Sequence, residues 1–308
     1  MKNFLTYLFA TTFLNFRKRK TAIERKFNTH ISTIDSSGVS ISFSDQGSGP
    51  VVILIHGITQ NASDFKHLIN RLKGRFRLIA LDCRGHGASG KPEDPASYGK
   101  QMVRDIETLL TKLNIDKAIL LGTSMGAEIA LRFTVDYPAR THALAVIASG
   151  WSGQKESMTY TKVGNTLKQH HSFGPWIKET GGQGYFSPDY FGIATADAML
   201  KGENIDALAS VFLGMKEIIN LTEQEIKEVN IPVLAICGEH DEERPCLERM
   251  VDVVPDISFN LLMGRDHMDL GEDPQYNKLI EQFLSRCSSR GGRLEANPHK
   301  GSLLPPFS

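Results

Sequence analysis

The chain has 308 residues, 41% hydrophobic and 23% charged, a composition ordinary for a globular protein and large enough for one sizeable core or one domain with an insertion. Net charge is zero, but residues 1–28 carry seven Lys/Arg against one Glu and residues 285–308 carry four against one, so residues 29–284 sum to −9. A mildly acidic body with basic ends argues against a nucleic-acid-binding domain. The four cysteines form no C-x-x-C pair and no His/Cys cluster of zinc spacing, so they read as free thiols, as in a reducing compartment.

In chain order, "MKNFLTYLFATTFLNFRKRK" comes first. Its apolar run is too short to span a bilayer and lacks an evident cleavage site. Leu5, Leu8, Phe9, Phe13 and Phe16 make one helical stripe beside a basic flank. Residues 1–28 are therefore expected to be a basic amphipathic extension with residues 1–20 able to lie on a membrane surface; packing on the domain and a targeting role are the other readings. The expected location is cytoplasmic, with possible peripheral contact.

From residue 30 to 150 strand-like and helix-like runs alternate. "VSISFSD" (39–45) alternates like a half-buried strand, and "PVVILIH" (50–56) reads as a strand covered on both faces. Residues 64–74 have helical spacing, 76–82 are strand, 97–114 helix, 117–123 strand, 124–138 helix and 143–149 strand. This is the rhythm of a mostly parallel sheet with helices on both faces. The rhythm breaks at 150–229, which holds amphipathic helical stretches and many aromatic residues. It resumes with strands in 231–241 and 257–263 and a closing helix at 276–286. The tail 288–308 is rich in Gly, Ser and Pro and reads as disordered. The domains are accordingly an extension (1–28), a core (29–150 and 230–287), a helical cap (151–229) and a tail. Ligands of an open α/β sheet bind beyond the carboxyl ends of its strands, where such a cap would form a roof.

Polar residues cluster just past those strand ends: His56 and Gly57, Asp82 with "CRGHGAS", Ser124, Asp241 in "GEHD" and His267 in "GRDH". A serine hydroxyl needs a base within hydrogen-bond reach to act as a nucleophile. His267 can be that base, and Asp241 can hold its tautomer and stabilise the imidazolium. Gly122 and Gly126 give room for a sharp strand-to-helix turn that exposes Ser124. The amides of Met125 and, after "HG", Ile58 are the expected oxyanion donors.

The pieces "HGIT" (56–59), "DCRGHGAS" (82–89), "GTSMG" (122–126), "GEHD" and "GRDH" resemble, in order and spacing, the α/β-hydrolase superfamily in its branch with a helical cap. The resemblance covers roughly residues 30–285. It implies an eight-stranded sheet, a Ser124–His267–Asp241 triad, Ile58 and Met125 amides as the oxyanion hole, and supporting roles for His56, Gly57, Gly122 and Gly126. Thr123 departs from the bulky residue often found before the nucleophile and bears on pocket shape.

Of the competing side chains, His56 is expected to shape the oxyanion loop and His86 to stabilise its own. His240 has the wrong place in the chain order. Glu239 and Glu242 are less favoured than Asp241, and Asp266 cannot easily fold back onto the adjacent His267. Asp82 and Arg84 are expected to brace the loop, Cys83 and Cys237 to be buried, and His170–His171 to be a solvated pair. The expected reaction is cofactor-free and metal-free hydrolysis of a carboxylic ester, lactone or thioester of a small to medium apolar substrate through an acyl-enzyme. The alternatives are carbon–carbon bond hydrolysis, perhydrolase or haloperoxidase-type chemistry, and a catalytically silent receptor on the same fold. Epoxide and haloalkane hydrolysis in this superfamily needs an aspartate where Ser124 stands. Natural substrate and oligomeric state are not legible.

Overall fold

The computed structural model describes residues 31–152, 157–182 and 186–289. The N-terminal stripe, most of the C-terminal tail and two short stretches of the insertion lie outside the described residues. Eight strands form one sheet: β1 (Ile31–Ser36), β2 (Val39–Gln46), β3 (Val51–Ile55), β4 (Arg77–Leu81), β5 (Ala118–Thr123), β6 (Thr141–Ile147), β7 (Val233–Gly238) and β8 (Ile257–Leu262). Their order across the sheet is β1-β2-β4-β3-β5-β6-β7-β8; the β1–β2 and β2–β4 pairings are antiparallel and the rest parallel. β1 is absent from the sequence reading. Its "ISTIDS" is largely exposed and polar, and its strand form comes from pairing with β2. β2 is not half-buried as its alternation suggests. Ile41, Ser42 and Phe43 are all buried, because the loop after β4 lies over it and Ser89 Oγ accepts the Ser42 N–H at 2.8 Å.

The central strands are apolar throughout because both faces are covered. On β3, Val52 and Leu54 face one core with α1 (Lys66–Leu72) and α10 (Pro274–Ser289). Ile53 and Ile55 face the other with α2 (Lys100–Lys112), α3 (Met125–Asp136) and α9 (Arg244–Val253). α10 runs through Ser289, so Ser288 and Ser289 belong to that helix and not to the tail expected from residue 288.

Between β6 and β7 lie α4 (Ser157–His170), α5 (Gly174–Glu179), α6 (Tyr190–Ala198), α7 (Ile205–Ile219) and α8 (Glu223–Lys227). They form an inserted helical cap. Leu167, Ile177, Ala196, Leu208 and Phe212 make its own small core, onto which Ile58 also packs. Among the described residues no helix is long and apolar enough to cross a membrane.

Candidate active site

Three loops at the carboxyl edge of the sheet meet at Ser124. The residue sits between β5 and α3 with φ 52 and ψ −124, a left-handed backbone that costs a non-glycine residue on the order of 1–3 kcal/mol. Its N–H donates to Ile147 O on β6 at 2.8 Å, which ties the turn to the sheet. A Cβ on Gly122 would overlap the Gly126 carbonyl, so the turn closes only with glycine there.

His267 lies in the loop after β8. Its Nε2 is 3.0 Å from Ser124 Oγ, and its Nδ1 is 3.0 Å from Asp241 Oδ1. A carboxylate can only accept, so Nδ1 carries a proton, and the tautomer this selects leaves Nε2 as an acceptor for the serine hydroxyl. The Asp241 side chain is fully buried, the His267 side chain is 14% exposed, and Ser124 is half-buried. The acid is thus dry while the hydroxyl can be reached. Asp241 Oδ1 also accepts the Glu243 N–H at 2.9 Å. The two loops are joined: His240 N–H donates to Arg265 O (2.8 Å), and Glu239 accepts the Gly264 N–H (2.8 Å). Asp266 turns back on its own loop, accepting the N–H groups of Met268 and Asp269 at 2.8 and 3.1 Å.

The "HG" loop is the third. A Cβ on Gly57 would stand 3.2 Å from Ser124 Cβ, so this loop runs beside the serine. His56 is buried; its Nε2 accepts the Cys83 N–H (2.9 Å) and its Nδ1–H donates to Gly57 O (2.7 Å). Both partners fix one neutral tautomer. Met125 is the first residue of α3, so its N–H precedes the intrahelical ladder and, with the helix dipole, favours negative charge there. Asp82 joins two loops by accepting the N–H groups of Ala62 (2.8 Å) and Ala88 (2.7 Å). Arg84 makes a buried bidentate pair with Asp105 at 2.5 and 2.7 Å. Burial outweighs that pairing and leaves the Asp105 carboxyl titrating above its ordinary range.

The other singled-out residues lie away from the serine's hydrogen bonds. His86 is buried with Nδ1 donating to Arg84 O (3.2 Å), and burial, then His56, lowers its pKa to about 3. His240 is exposed, and His171 pairs with Asp206 at 3.3 Å on the surface. All four cysteines are buried free thiols. Burial raises Cys83 and Cys237 far above the ordinary thiol value, so neither offers a thiolate. Among the described residues no group of three His, Cys, Asp or Glu side chains is arranged to hold a metal ion.

Sequence reading missed Glu128. It lies one helical turn beyond Ser124, is buried, and accepts from Tyr160 of the cap at 2.6 Å and from Ser149 at 3.2 Å. The one available signal was a carboxylate inside the small-apolar run "GAEIAL".

Residues 50–204 match the alpha/beta hydrolase fold family, and the chain belongs to it. A 2-(acetamidomethylene)succinate hydrolase from Mesorhizobium japonicum is 36% identical over 37% of this chain and 41% of its own. The bifunctional epoxide hydrolase 2 of Sus scrofa is 30% identical over 86% of this chain and 44% of its own. The chain thus spans less than half the length of these two relatives. A solved hydrolase from Pseudomonas aeruginosa PA01 shares the fold with a TM-score of 0.70 at 22% identity, over 83% of this chain and 98% of that one.

Proposed function

We propose that this chain is a serine hydrolase that cleaves a carboxylic ester, or a lactone or thioester, of a small to medium apolar substrate through an acyl-enzyme. The observation that carries the reading is the unbroken path from Asp241 Oδ1 through the His267 ring to Ser124 Oγ, 3.0 Å at each step. Ser124 Oγ attacks the carbonyl carbon while Nε2 takes its proton. The carbonyl electron pair moves onto oxygen, where the Ile58 and Met125 amides receive it. His267 returns the proton to the leaving group. A water then repeats the sequence on the acyl carbon and frees Ser124.

Preference for an apolar substrate is supported by the cap, whose core and edges are aliphatic and aromatic. The porcine relative's name carries epoxide hydrolysis. That activity is not proposed here, because a serine stands at the nucleophile position.

The test is turnover of p-nitrophenyl esters of graded chain length, with fluorophosphonate labelling. The parent is expected to label at Ser124 and to turn over short esters, and Ser124→Ala to do neither. His267→Ala is expected to lose most of the turnover. Labelling elsewhere, or turnover that survives Ser124→Ala, would overturn the assignment.

A further inference from the structure

We infer that Gln60 is a positioning residue that aims the Ile58 N–H at the carbonyl oxygen of a substrate bound at Ser124. The inference rests on the hydrolytic reading above. Gln60 holds Gly57 from both sides. Its side-chain Oε1 accepts the Gly57 N–H at 2.9 Å, and its own backbone N–H donates to Gly57 O at 3.2 Å. His56 Nδ1–H adds a second donor to the same carbonyl at 2.7 Å.

The consequence follows from amide geometry. The Gly57–Ile58 peptide is trans, so its C=O and N–H point in opposite directions. With the carbonyl drawn toward His56 and Gln60, the Ile58 N–H is turned to the other side. The loop is already beside the nucleophile, since the side-chain position of Gly57 meets Ser124 Cβ at 3.2 Å and Gln60 Oε1 at 3.0 Å.

The rest of the loop does not supply this order unaided. Thr59 is β-branched yet has φ 56, a conformation that disfavours the turn. Downstream, Asn61 caps the 3-10 turn Ala62–Phe65, and Asp82 holds the Ala62 N–H. Ile58 packs its side chain on both the main core and the cap core. Both flanks are therefore anchored, and the Gln60 side chain is the bond that fixes the Gly57 N–H between them. A glutamine has the needed reach. Asparagine is one methylene short, and methionine has similar length without a strong acceptor.

The experiment compares full-length parent, Gln60→Met and Gln60→Asn on one short p-nitrophenyl ester. It also measures inhibition by an alkyl trifluoromethyl ketone. Addition of Ser124 Oγ to that ketone forms a C–O bond, moves the carbonyl pair onto oxygen and passes the serine proton to His267, so the adduct depends on the oxyanion donors. Loss of one hydrogen bond's worth of positioning predicts kcat down about tenfold, KM within about twofold, and ketone affinity weakened about tenfold. Thermal melting identifies any variant that fails to fold, and the other then decides. A folded variant with parental kcat and parental ketone affinity overturns the inference. So does a rise in KM alone, which would make Gln60 a substrate contact. A parent that neither labels at Ser124 nor turns over ester defeats the hydrolytic reading itself, and the inference falls with it.

Discussion

Gly126 lies so close to Ile55 that a Cβ on it would overlap the carbonyl oxygen of that strand residue. The helix that begins after Ser124 is thus pressed directly against β3, and this contact lets the "HG" loop after β3 and the turn after β5 share one small volume. Backbone atoms cannot swing aside as a flexible side chain can. Gly126→Ala is therefore expected to cost about 3 kcal/mol or more and, under the proposed reaction, to remove ester turnover together with stability. Gly271→Ala, where a Cβ meets nothing within 4 Å, should change stability by less than about 0.5 kcal/mol. Urea unfolding of the two variants checks the contrast; equal losses would refute it.

Asp241 is buried and faces His267 Nδ1, so its role under the proposed reaction is electronic as well as geometric. Asp241→Asn keeps the shape but can present an N–H to the ring and favour the tautomer with the proton on Nε2. That tautomer cannot take the serine proton. The expected outcome is kcat lower by about 10³–10⁴ with a far smaller change in KM. Steady-state kinetics with melting as a fold control measures it, and a loss below tenfold would contradict the assigned role.

Arg84 and Asp105 tie the loop after β4 to α2 through two hydrogen bonds, with both side chains only 1% exposed. Removing one partner strands the other charge. Asp105→Asn or Arg84→Met should therefore destabilise by roughly 3–5 kcal/mol. Replacing both with Met and Leu should cost less than either single change. Glu281, paired at the surface with both Arg71 and Arg75, is a fair control, and Glu281→Gln should change stability by under about 1 kcal/mol. Chemical denaturation of this set would expose the error if the buried and surface pairs proved equal.

What could be read in the chain beforehand follows from where local chemistry decides. Runs such as "VVILI" and "LLGT" are buried on both faces wherever they sit in a parallel sheet, so their pattern announces them. Ser124 and Asp241 follow such runs directly or within a few residues, and His267 follows the half-buried edge strand β8 at the same end of the sheet, which makes their convergence foreseeable. β1 was invisible because its residues carry no apolar alternation and it exists by pairing. Gln60 and Glu128 were invisible for a different reason. Each acts on a neighbour brought close by a turn or by the cap, and neither residue type signals that by itself.

His86 makes the final prediction, one of acid sensitivity. Its ring is fully buried, Nε2 has no hydrogen-bond partner among the described residues, and the His56 ring stands 5.1 Å away. Burial, first of all, and then His56 lower its pKa from 6.5 to about 3. The unfolded chain therefore takes up a proton near pH 6.5 that the folded chain refuses until about pH 3. Stability from this site is fully present above pH 6.5 and falls as the pH drops toward 3, at up to about 1.4 kcal/mol per pH unit. Between pH 6.5 and 5 the loss should be about 2 kcal/mol. His86→Asn keeps a donor for Arg84 O and removes the titration. Its baseline stability should be lower, but its loss between pH 7 and 5 should be smaller than the parent's by about that amount. Urea unfolding of both proteins at the two pH values measures the difference, and parallel losses would rule out His86 as the source.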